Sequence, residues 1–74
     1  MIISAYSVDT APTGFAPCWW PAYSIKSALK IAKVLSERLS DDKRYPSAFW
    51  VIGEKDKPIC KFHRGKRYEP NETI

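Results

Sequence analysis

Phe49 to Phe62 reads FWVIGEKDKPICKF, two apolar runs separated by a short charged segment, and the fold depends on how those runs pair. AFWVIG (48–53) and PICKF (58–62) are rich in β-branched and aromatic residues, which suit a pleated, half-buried surface. Glu54-Lys55-Asp56-Lys57 joins them as a hairpin, with Gly53 facing Pro58. The cross-strand pairs expected are Ile52–Ile59, Val51–Cys60, Trp50–Lys61 and Phe49–Phe62. Side chains alternate across a strand, so one face of the hairpin carries Phe49, Val51, Cys60 and Phe62 and is wholly apolar. The other face carries Trp50, Ile52, Ile59, Lys61 and His63, a mixture of apolar and basic groups.

The apolar face needs a cover, and the preceding segment supplies one. In SIKSALKIAKVLSERLS (24–40), 100° per residue places Ile25, Ala28, Leu29, Ala32, Leu35 and Leu39 on one side, with Ile31 at the margin. Ser24 is placed to cap the first turn with its hydroxyl. Lys26, Lys30, Lys33 and Glu37 share the outer side, where Lys33 and Glu37 stand at pairing distance along the helix. Pro46 forbids continuation of the helix. On the far side of the hairpin, Arg64-Gly65 marks a second turn, and Lys66 to Glu69 can return as a short edge strand.

Toward the N-terminus, Ile2 to Val8 has the composition of a strand, with Ile2, Tyr6 and Val8 on one side and Ile3 and Ala5 on the other. Asp9 to Tyr23 contains Pro12, Gly14, Pro17 and Pro21, which predicts a long connection without secondary structure of its own. Its aromatic residues Phe15, Trp19, Trp20 and Tyr23 argue against simple disorder. The order strand–helix–strand–strand, with a short fourth strand, predicts an α+β fold: one amphipathic helix on a small, mainly antiparallel sheet of three or four strands. Residues 1–70 form one domain, and 71–74 are expected to fray.

The composition fits this plan. At 74 residues the chain is near the lower limit for a self-sufficient core, and its three Trp, four Tyr and three Phe offset the small size. No apolar run is long enough to span a membrane. MIISAYSVDT lacks the basic start of a secretory signal, so a cytoplasmic chain is expected, with Cys18 and Cys60 as free thiols. Charge is concentrated: residues 43–67 hold eight of the twelve Lys and Arg against two acids, so the basic character belongs to the strand region.

Function is read from what one helix leaves uncovered. The mixed face can be covered by the Trp-rich loop, by a second copy of the chain, or by a ligand. In Pro17-Cys18-Trp19-Trp20-Pro21, neighbouring side chains of an extended segment point opposite ways, so one Trp of the pair is left for a partner. Trp is favoured at interface centres, and a proline-stiffened segment loses little entropy on binding. Phe15, Trp19, Trp20 and Trp50 are therefore the partner-binding candidates of a non-enzymatic adaptor or inhibitor that also uses its basic hairpin. The alternative is nucleic acid, with Trp50 stacking on a base and Lys61, His63, Arg64, Lys66 and Arg67 meeting phosphates. Against it, Lys61 can simply lie over Trp50 as a structural cation–π pair.

Neither catalysis nor a cofactor is expected. There is one His, no glycine-rich phosphate loop, and Cys60 falls in the predicted core, where a thiol is inert. Cys60 and His63 fall on opposite faces, which is no arrangement for a metal.

Overall fold

The structure, a computed structural model, describes residues 6–10, 19–39, 41–43, 48–53 and 57–74. Among these residues one helix packs on one antiparallel sheet: β1 (Tyr6–Asp9), β2 (Trp19–Ala22), α1 (Ile25–Arg38), β3 (Phe49–Ile52), β4 (Pro58–His63) and β5 (Lys66–Tyr68). The spatial order is β2-β1-β3-β4-β5. The α+β class is as the sequence predicts, but the sheet has five strands rather than three or four.

The additional strand is β2, in the stretch expected to be irregular. It pairs antiparallel with β1, Trp20 opposite Val8 and Pro21 opposite Ser7. Pro21 forbids a central strand but not an edge, where one side of the backbone needs no partner. Trp19 and Trp20 supply the β preference that the prolines obscure in the sequence. Of the predicted first strand, Met1 to Ala5 lie outside the described residues, as do the loop positions 11–18, Pro46 and the 54–56 turn.

Helix α1 begins where its cap predicts: the Ser27 N–H donates to Ser24 Oγ at 3.1 Å. It buries Ala28, Ala32 and Ser36, with Leu29, Ile31, Leu35 and Leu39 packed at the margin of the core. The small residues down the centre of this stripe let the helix sit close to the sheet. Beneath it lie Val8, Ala22, Phe49, Val51, Cys60 and Phe62, which include all four residues of the apolar hairpin face. Ile25 departs from the expectation: one turn before the first buried position, it is 37% exposed.

The β3–β4 register matches for Phe49–Phe62, Trp50–Lys61 and Val51–Cys60, then shifts, so that Ile52 faces Pro58. The predicted pairs Ile52–Ile59 and Gly53–Pro58 are thus replaced by a bulge at Ile59, one extra residue on the bulged strand. Ile59 consequently packs against the core cluster rather than on the mixed face. Gly53 closes the ladder by donating its N–H to the Lys57 carbonyl at 2.8 Å. A Cβ at Gly53 would come within 2.8 Å of Ile59 Cδ1, so the bulge fills the space that the glycine leaves.

Arg64 and Gly65 form the β4–β5 turn with φ of 51° and 82°, the positive pair of a type I′ hairpin. Ser36 ties that turn to the helix. Its Oγ donates to the Lys33 carbonyl and accepts from the Gly65 N–H, both at 2.9 Å.

Candidate functional site

Register places one row of side chains across all five strands on the face away from α1: Trp19, Asp9, Trp50, Lys61 and Tyr68. The mixed face foreseen for the hairpin thus continues across the whole sheet. It is not an open platform. Ile52 is 2% exposed and Lys61 8%, and Trp50 is half-buried. Lys61 is held by the C-terminal turn. Its Nζ donates to the Pro70 carbonyl at 3.2 Å and to the Glu72 carbonyl, and it lies 4.9 Å from the centroid of the Trp50 ring. A desolvated ammonium is tolerable only with such partners. The turn is closed on itself by the Glu72 N–H on the Glu69 carbonyl (3.1 Å) and the Glu69 N–H on Glu72 Oε1 (2.9 Å). Residues 71–74 are exposed, yet Glu72 in their midst is tied to the sheet.

The five basic candidates do not form one surface. Lys61 is committed to the C-terminal turn and Trp50. His63, half-buried, and Lys66 face each other on the same side of the sheet. Lys66 Nζ lies 5.2 Å from the Tyr68 ring centroid. Arg67 is opposite Phe62, on the helix side. Arg64, at the hairpin tip, pairs with Asp41 at 3.1 Å beyond the end of α1. Both members of that pair are well exposed, so it contributes little to stability.

The aromatic candidates divide as the alternation in the sequence demands. Trp20 turns inward and meets Phe49 edge-to-face, with ring centroids 5.9 Å apart. Trp19 turns outward and is 57% exposed. Phe15 lies outside the described residues. Reading the sequence alone missed the residues that continue this surface beyond Trp19: Pro21 is exposed, Tyr23 is 67% exposed, and Ile25 completes the run at the head of α1. For Pro21 the signal was the alternation along β2, in which Trp19 and Pro21 share one face; Tyr23 and Ile25 lie beyond the strand, and strand alternation does not reach them.

Cys60, in the core under α1, is a free thiol whose pKa burial pushes above its ordinary value. Arg67 partly offsets this, and Glu69 adds to it. Among the described residues the surface comprises exposed Trp19 and Pro21 along one sheet edge, exposed Tyr23 and Ile25 beyond it, and a cationic–aromatic row across the sheet in which Lys61 is buried. No helix among the described residues is long and apolar enough to cross a membrane. The fold defines a small α+β domain, and comparison with protein-family models, curated proteins and solved structures gives no match.

Proposed function

We propose that this chain is a small, non-enzymatic binding module that recognises a protein partner through Trp19, Pro21, Tyr23 and Ile25. The observation that carries this is the exposure of Trp19, at 57%, beside a Trp20 that already fills the core position. Trp19 thus has little packing role, while a large amphipathic ring at the rim of a rigid sheet is what interface centres favour. Tyr23, just beyond the end of β2, is more exposed still. The free Cys60 thiol accords with a reducing, cytoplasmic setting.

Nucleic acid is the weaker reading. Its platform needs Trp50 and Lys61 open, and Lys61 is buried under the C-terminal turn. Its other cations are spread over both faces, Arg64 with Asp41 and Arg67 on the helix side.

Trp19→Ala and Tyr23→Ala test the proposal by affinity capture from cell extract, with circular dichroism and the urea midpoint as fold controls. Each variant is expected to keep its fold and lose partners that the wild type retains. Unfolding of Trp19→Ala would show the residue to be structural, and undiminished capture by both variants would remove the surface from consideration.

A further inference from the structure

The sheet face away from α1 carries two tryptophans on one row. In register, Asp9 of β1 stands between Trp19 of β2 and Trp50 of β3. The adjacent row, Trp20, Val8 and Val51, packs in or against the core, so Trp19, Asp9 and Trp50 share the opposite face. Asp9 is short and 3% exposed, whereas Trp19 is 57% exposed and Trp50 half-buried. The two rings are therefore the raised points of the row, with a low position between them. The Lys61 ammonium, 4.9 Å from the Trp50 ring centroid, holds that ring from the β4 side. The turn bonded to Lys61 closes the row beyond it.

Two steps between neighbouring strands, about 4.8 Å each, set Trp19 and Trp50 about 9.6 Å apart at the backbone. One turn of a polyproline II helix, three residues rising about 3.1 Å each, covers about 9.3 Å. Residues i and i+3 of such a helix thus repeat on one side at the spacing of the two rings. The other common modes of peptide recognition fit less well. An added β-strand would pair along β2, and Pro21 interrupts the donors of that edge. An amphipathic helix needs a continuous apolar groove, and Asp9 interrupts this one.

We infer that the partner of the Trp19 surface is a proline-rich segment in the polyproline II conformation. It crosses β2, β1 and β3 with prolines at i and i+3 on Trp19 and Trp50. This rests on the partner-binding reading of Trp19 and adds Trp50 to it. Such a segment is stiff before it binds, so ordering it costs little entropy, and fixed aromatic rings are what it docks on.

The test is selection of a random peptide display library on the immobilised full-length chain, followed by calorimetric titration of the selected peptides. Each is titrated against the wild type, Trp19→Ala and Trp50→Ala, with circular dichroism as the fold control, and again with its second proline moved by one residue. The expected result is enrichment of proline pairs at i and i+3. Either substitution, and the moved proline, should weaken binding about tenfold or more, as loss of an interface anchor does. Should Trp50→Ala unfold, the moved proline on the wild-type chain still tests the spacing. Peptides that require Trp19 but contain no such pair, or that tolerate the moved proline or a folded Trp50→Ala, would overturn the polyproline partner and leave the Trp19 surface standing. Enrichment only of peptides indifferent to Trp19, or of none, would overturn both.

Discussion

Gly65 shows how much can depend on one hydrogen atom. Its φ of 82° is in the region that L side chains avoid, and a Cβ there would stand 2.7 Å from Glu37 Cγ. Glu37 is on the exposed side of the helix and can swing away, so backbone conformation, not contact, sets most of the cost. Gly65→Ala is expected to destabilise the domain by about 1–2 kcal/mol in urea unfolding. Adding Glu37→Ala should recover less than half of that; full recovery would mean that the clash dominates. The neighbouring Ser36 explains why this turn is fixed, because its hydroxyl occupies the Gly65 N–H. Ser36 was not among the residues that the helical period assigned to the apolar side, and nothing in the sequence announced a turn nearly thirty residues later as its partner. Cys60 gives a second residue-scale consequence. Burial raises its pKa in the folded state, so its neutral form is the folded form. Its contribution to stability is complete below the unfolded thiol's pKa, about 8.5. It declines as pH rises through the folded value. The unfolding free energy should therefore fall on the alkaline side, and Cys60→Ser should flatten that part of the profile. An equal alkaline loss in the variant would trace the effect to other groups.

At the scale of elements, the helix and the apolar hairpin face were legible because each is a simple period: Ala28 and Ala32 at helical spacing, Phe49 and Val51 at strand spacing. The strand β2 was not, because Pro21 in a sequence signals interruption, while at a sheet edge it interrupts nothing. The bulge at Ile59 was equally hidden. It depends on the Gly53 N–H reaching the Lys57 carbonyl, a backbone bond to which side-chain alternation is blind. Of the site, the opposite facing of Trp19 and Trp20 was readable from their adjacency alone. The pairing of Lys61 with Trp50 was readable as a packing alternative. The division of the basic residues between two faces follows from the register of β5, a strand of three residues whose exact span no pattern defines. The sheet edges also become intelligible at this scale. Pro21 lies on one, and the exposed Lys66 and Arg67 lie on the other, and both features discourage pairing with another chain.

At the scale of the whole molecule, α1 covers one face of the sheet among the described residues, and the C-terminal turn contributes to the cover of the other. That turn is joined to β4 through Lys61. Lys61→Met keeps much of the side chain's bulk and removes its charge. Hydrogen exchange at the Glu69 and Glu72 amides is expected to accelerate about tenfold or more, since bonds to a charged donor contribute roughly 1.5–3 kcal/mol. Exchange at Val51 and Phe62 should hardly change. Rapid exchange throughout the core would instead mark Lys61 as a packing residue. The contact spans eleven positions, from Lys61 to Glu72, with the Arg64-Gly65 hairpin between them. The last segment of the chain is therefore a non-covalent ring, clasped by an ammonium. An ordinary edge strand peels from its loose end one residue at a time. Here that route begins with release of the Lys61 ammonium from the Pro70 and Glu72 carbonyls, so opening of β5 is coupled to opening of the turn.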